Sequence, residues 1–298
     1  MSVSAERLAA RDNIAAGIGL ILASVLLLSS LDAAAKYVSE RYPVLQVVFL
    51  RSLFGVIPVL VMVAVRRQWA QLRARAFGGH ALRGALSLVA MGLFFASLQE
   101  MSLPDATALF FVAPLLMTAL SVPLLKETVG IRRWCAIVVG LVGVLIIVRP
   151  GGGVFGWAAL LPMGAALCYS LIVICTRFVG RTETAPAMSL WYAAVPIAVT
   201  GASMPWLWVA PEPEHWPVFL ATGLLGGSGV LLMSFAYRVA PVGVLAPFDY
   251  TALLWAALWG WVIWADLPDA WTIAGACVVA ASGLYIIHRE TRQGRPRS

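Results

Sequence analysis

The chain is 298 residues long, 61% hydrophobic and only 12% charged, with a mean hydropathy of +0.89. An ordinary water-soluble domain carries about 25% charge, so a soluble globule is excluded. A formal net charge of +7 would suit a nucleic-acid binder, but the basic residues sit in short connections between apolar stretches, where they set topology and meet anionic head groups.

A helix that crosses hydrocarbon needs about 20 apolar residues and satisfies its own backbone, whereas membrane strands would show a period-two alternation that this chain lacks. In chain order the predicted spans are 14–38, 43–65, 81–99, 105–125 and 131–148, then 154–179, 185–207, 218–237, 242–264 and 270–287. The first is too long for the apolar core of a cleaved leader, carries Asp32 and Lys36, and runs straight into the second, so it is expected to be retained. Lys and Arg in connections mark the side that resists translocation. The tails and even-numbered loops hold Arg66, Arg67, Arg73, Arg75, Arg83, Lys126, Arg132, Arg181, Arg238 and others, while the opposite loops hold only Arg41 and Arg149. Both termini are therefore expected in the cytoplasm. Cys135, Cys168, Cys175 and Cys277 fall inside spans without the spacing of a metal site or disulfide framework, and read as small packing residues.

The last span of each half carries an internal match, WCAIVVGLVGVLIIVRP against WTIAGACVVAASGLYIIHRE, with Gly143 on Gly283. Upstream, SLPDATALFFVAPLL corresponds to VAPVGVLAPFDYTALL, with Pro104 beside Pro241. The chain divides into repeats 1–150 and 151–298, five spans each. An odd number of spans inverts the second copy, and inverted copies support alternating access around a midplane site.

TALFFVAPLLMTALSVPLLKE and GVLAPFDYTALLWAALWGWVIWADLPDAWTIAGACVVAASGLYII resemble the EamA repeats of the drug/metabolite transporter superfamily. Within it the chain is similar to bacterial amino-acid exporters of the YddG type. That resemblance implies an all-α, multi-pass protein of the bacterial inner membrane that exports aromatic or large neutral amino acids. Drugs, nucleosides, other metabolites or, further off, a flipped lipid are the alternatives. Only His80, His215 and His288 exist, all in loops or at span ends, so acid–base or metal catalysis has little to use and no cofactor or metal is expected. No Walker motif is present. Ten helices can enclose a pathway, so a monomer suffices and a dimer remains possible.

Ionisable groups inside spans are costly and therefore candidates for function. There are four: Asp32, Lys36, Arg51 and Asp249. Asp32 and Lys36 are spaced i,i+4 and either neutralise each other, anchor the helix end, or act in gating or binding. Arg51 lies roughly 12 Å into its span and suits either a substrate carboxylate or a structural partner. Asp249 stands two residues after Pro247 and suits a substrate ammonium, a transported proton, or hydrogen bonds to Tyr and Thr neighbours. Mid-membrane aromatics complete the candidate pocket: Phe94, Phe95, Phe110, Phe111, Tyr169, Phe235, Tyr237, Phe248 and Tyr250. Pro114 and Pro247 are the candidate hinges.

Overall fold

The computed structural model describes the backbone of residues 3–126, 130–148, 157–179, 182–240 and 242–293, and their side chains except at 3–13, 133, 177, 238, 242, 243, 246, 247 and 286–293. Pro241, the side chain of Pro247 and Arg149 lie outside the described set. The described residues form thirteen α-helices, three short 3-10 turns and no strand. They are α1 (Val3–Ser39), α2 (Val44–Gly55), α3 (Ile57–Val65), α4 (Phe77–Glu100), α5 (Leu103–Phe110), α6 (Ala113–Leu125), α7 (Ile131–Val148), α8 (Leu160–Val179), α9 (Ala185–Leu207), α10 (Trp216–Val239), α11 (Val242–Asp249), α12 (Thr251–Trp264) and α13 (Ala270–Gln293). Seven stretches are long and apolar enough to cross a membrane, and three shorter apolar helical segments, Trp134–Val148, Thr251–Trp264 and Ala270–Tyr285, accompany them.

Three of the ten predicted spans are broken helices. At the second, α2 stops at Gly55 and α3 restarts with Pro58 in its first turn. At the fourth, α5 ends at Phe110 and Pro114 stands in the first turn of α6. Proline has no N–H to donate and its ring collides with the carbonyl four residues back, so Pro58 opposes continuation from Phe54 and Pro114 from Phe110. The ninth breaks at Tyr250, between α11 and α12. The starts Leu103 and Val242, the breaks Phe111 and Tyr250, and the left-handed caps Lys126 (φ 56°) and Ala265 (φ 57°) are separated by the same interval along the chain.

Packing follows this internal correspondence. When α1, α2, α4, α5, α6 and α7 exchange places with α8, α9, α10, α11, α12 and α13, the pair α1–α10 becomes α4–α8, α2–α10 becomes α4–α9, α1–α12 becomes α6–α8, and α1–α11 becomes α5–α8; all eight pairs are in contact. The pairs α7–α13 and α2–α9 map onto themselves. Several contacts lack a twin of similar extent among the described residues, among them α1 on α4, α2 on α4, α5 on α12, and α5 on α13.

Glycine permits the closest crossings. A Cβ at Gly227 would lie 2.5 Å from the Gly55 carbonyl oxygen and one at Gly223 would lie 2.3 Å from the Phe54 Cβ, so α10 receives the α2–α3 break along a glycine face. On α7, a Cβ at Gly143 would lie 2.9 Å from the Gly275 carbonyl oxygen of α13. Without a strong hydrophobic drive between helices in lipid, such small-residue faces supply the packing.

Candidate functional site

Two buried charged groups stand apart from the ordinary packing, one on α2 and one at the end of α11. Arg51 is half-buried within α2, and among the described residues its Nη1 donates only to the Met91 sulfur, at 2.9 Å. Its Nε is buried without a partner, and its guanidinium lies 5.7 Å from the centre of the Phe95 ring. A thioether is a weak acceptor, so this cation is under-satisfied where desolvation costs several kcal/mol. Asp32 of α1 and Tyr192 of α9 lie within electrostatic reach, yet no salt bridge closes between Asp32 and Arg51.

Asp249 is the opposite case. Its Oδ2 accepts from the Tyr237 hydroxyl at 3.3 Å while its Oδ1 is buried without a partner. Tyr169 and Tyr250 lie in its field. The Tyr250 hydroxyl and the Nε1 groups of Trp255 and Trp259 on α12 are likewise buried and unpartnered. Native structures rarely leave such groups orphaned, and a ligand or water ordinarily answers them.

A row of rings links the two poles. Phe95 neighbours Phe94 at 6.4 Å between centroids, Phe94 meets Phe110 edge-on at 5.3 Å, and Phe110 reaches Tyr169 at 5.5 Å. Beside this row, Phe111 and Tyr250, the residues at the two helix breaks, stack at 4.9 Å with 27° between planes. The breaks of corresponding helices therefore meet face to face. This row with Arg51, Asp32 and Asp249 is the candidate pocket.

Lys36 is engaged elsewhere. Its Nζ donates to the Leu98 and Met101 carbonyls, both at 2.9 Å, and lies 5.2 Å from the Trp264 ring centre. It ties α1 to the C-terminal end of α4, where unpaired carbonyls and the helix dipole favour a cation. No salt bridge joins it to Asp32 despite the i,i+4 spacing. Phe235 faces a separate cleft between α3, α9 and α10, lined by Met62, Arg66, Gln71, Ser189 and Ser234, with the Arg66 guanidinium 5.8 Å from its ring centre. Phe248 packs against the cluster of Ile21, Val25 and Leu245. Pro114 sits at the α5–α6 break.

Several residues of this neighbourhood escaped sequence reasoning. Tyr192 lies in the field of both Arg51 and Arg83. Arg83, assigned by sequence to a basic connection, is 6% exposed within α4; it donates to Thr176 Oγ1 at 3.0 Å and the Met188 carbonyl at 3.4 Å. The rule that selects mid-membrane aromatics would have reached Tyr192; nothing in sequence marks Met91 as the partner of Arg51.

Each end of the bundle carries its own hydrogen bonds. At the end holding the α1–α2 and α9–α10 connections, His215 meets Arg41 at 2.9 Å and Tyr42 at 2.8 Å, Gln46 exchanges two bonds with Val209, and Trp264 donates to Glu40 at 2.7 Å. At the other end, the Glu183 carboxylate accepts from the backbone N–H groups of Arg75 and Ala76, at 2.6 and 2.5 Å, and lies 3.5 Å from His80. Desolvation would raise the Glu183 pKa, but the two backbone donors and His80 outweigh it and hold the carboxyl below its ordinary value.

The EamA-like transporter family matches residues 15–149 and 156–288. An S-adenosylmethionine uptake transporter of Rickettsia felis is 29% identical over 93% of this chain and 94% of its own length. A riboflavin transporter of Vibrio cholerae is 25% identical over 92% and 94%. A solved crystal structure shares the fold, with a TM-score of 0.66 at 16% identity over 94% of this chain and 99% of its own. With two successive matches that together take in most of its length, the chain belongs to the EamA-like transporter family.

Proposed function

We propose that this transporter carries a small organic solute joining an amino-acid head to an aromatic ring, by alternating access through ten spans arranged as inverted repeats 1–150 and 151–298. Both termini lie in the cytoplasm of a bacterium, the spans cross its inner membrane, and one chain is sufficient. The observation that carries this reading is the row of rings from Phe95 to Tyr169 between two charged groups that each leave one polar atom buried without a partner. Rings stack on aromatic walls, and a charged head answers Arg51 at one end of the row. Large neutral amino acids fit this description. So does S-adenosylmethionine, which joins an α-amino acid to an adenine ring and is named for the Rickettsia relative. Riboflavin, named for the Vibrio relative, offers the ring without the amino-acid head. An alternating-access cycle runs either way, so gradients set whether the solute enters or leaves. Asp249 is the proposed proton carrier.

Exchange of labelled S-adenosylmethionine, tryptophan and riboflavin in proteoliposomes, with and without a pH gradient, tests this. Saturable exchange of an amino-acid-bearing solute is expected, accelerated by the gradient in wild type and insensitive to it in Asp249→Asn. Exchange of riboflavin alone would reject the amino-acid head, and exchange of none would reject the substrate class.

A further inference from the structure

We infer that Asp32 and Arg51 form a split clamp for a zwitterionic head group, with the substrate carboxylate on Arg51, its ammonium on Asp32 and its ring against Phe95; the inference rests on the transport reading above and names where the solute's head binds. Arg51 carries an orphaned Nε and only a sulfur acceptor for Nη1. The other basic side chains described within the spans are answered by oxygen: Lys36 by two carbonyls, Arg83 by a hydroxyl and a carbonyl. His80, also within a span, lies at Glu183. Of the lysine and arginine side chains described within the membrane-length stretches, Arg51 is the one without an oxygen acceptor.

Asp32 and Arg51 would relieve each other by closing, since each desolvated charge is costly and a hydrogen-bonded pair offsets much of that cost. They remain within each other's field without a salt bridge. The same α1 stretch is fixed one turn later by Lys36 on α4, and α10 brings Leu31 of α1 and the guanidinium to one place at Gly226, where an added Cβ would lie 3.2 Å from Leu31 Cδ2 and 3.6 Å from Nη2. A ligand bearing only a carboxylate would answer Arg51 and leave Asp32 unpaired, and one bearing only an ammonium would do the reverse. A ligand with both charges satisfies both poles and adds no net charge to a low-dielectric space. Phe95, 2% exposed beneath the guanidinium, opens the row of rings that would take the side chain.

Three probes separate the poles: phenylalanine, 3-phenylpropionate and phenylethylamine, each titrated against the thermal unfolding of the detergent-purified full chain. In wild type, phenylalanine should protect at concentrations about tenfold or more below those of either singly charged probe, the worth of one charge-assisted pair. Arg51→Gln should abolish protection by 3-phenylpropionate and keep that by phenylethylamine, while Asp32→Asn should show the mirror pattern. Arg51→Lys, which keeps charge without the planar fork, should weaken 3-phenylpropionate about tenfold and covers the case in which the glutamine variant does not fold. Equal protection of wild type and Arg51 variants by 3-phenylpropionate, or no protection of wild type by any probe, overturns the clamp. If no probe protects while S-adenosylmethionine or riboflavin still exchanges in liposomes, the clamp falls and transport stands. Charge-dependent protection with no exchange leaves the clamp standing and removes the transport reading.

Discussion

A methyl group is enough to test how tightly this bundle is closed. At Gly227 an added Cβ would meet backbone, the Gly55 carbonyl oxygen at 2.5 Å, and backbone cannot step aside. Gly227→Ala should therefore lower stability by about 1–3 kcal/mol. Gly92, whose Cβ would meet nothing within 4 Å, should gain about 0.5–1 kcal/mol as Ala, because a helical glycine loses more chain entropy on folding. Thermal unfolding in detergent should show the two shifts with opposite sign. Gly283 is a third case: its Cβ would stand 1.8 Å from the Tyr250 hydroxyl, so Gly283→Ala should displace the Tyr250 ring from Phe111 and impair exchange as well as stability. Arg51 and Asp249 were selected from sequence because a charge inside an apolar span violates the expectation for a lipid-facing position. Tyr192 was not selected, since a neutral aromatic in an apolar span carries little signal of cost. The engagement of Lys36 was hidden because its acceptors are backbone carbonyls more than sixty residues away, and carbonyls have no sequence signature.

At the level of elements, all ten apolar stretches fell on helices, while the breaks within three of them were only partly foreseen. Hydropathy does not register them, since α5 and α6 remain apolar throughout; Pro114 did. Replacing it with Ala restores an N–H that can reach the Phe110 carbonyl, removes the clash, and lets α5 run into α6. If the break is part of the moving machinery, Pro114→Ala should slow solute exchange about fivefold or more, equivalent to roughly 1 kcal/mol, without lowering the unfolding temperature. The α4 start offers a second test. Its first N–H groups lack intrahelical partners, and the N-cap residue, Ala76, has no side chain to answer them. Glu183, from the connection before α9, accepts from the N-cap N–H of Ala76 and from that of Arg75 just before it. Because its pKa is depressed in the folded chain, its contribution is present above the ordinary carboxylate pKa and is lost as pH falls through the lower folded value. Wild type should lose thermal stability across that acidic window, and Glu183→Ala should start less stable and lose less over the same range.

The molecule as a whole departs from its internal symmetry in several contacts. Those of α1 with α4, and of α5 with α12 and α13, have no equivalent of similar extent among α8, α10, α11, α6 and α7 in the described residues. These unmatched contacts include the end that bears Glu40, Met101 and Trp264: Lys36 joins α1 to α4, Gly260 of α12 abuts Pro104 of α5, and Thr272 donates to Asp105 at 2.8 Å. The cleft lined by Arg66, Gln71 and Phe235 lies at the opposite end. Under the proposed alternating-access cycle, a bundle of corresponding halves held together at one end is one of two states, and the second follows when the halves exchange roles. Weakening the closed end should then shift the population. Lys36→Met removes two charge-assisted bonds and Trp264→Phe removes the bond to Glu40, each worth enough to move the equilibrium about tenfold. With Cys135, Cys168, Cys175 and Cys277 replaced, a cysteine at the 2%-exposed Phe95 position should react with a membrane-impermeant maleimide from the Glu40 side about tenfold faster in either variant than in the parent. An unchanged rate in both would mean that these contacts hold the fold together without gating it, and the asymmetry between the two ends would then be structural alone.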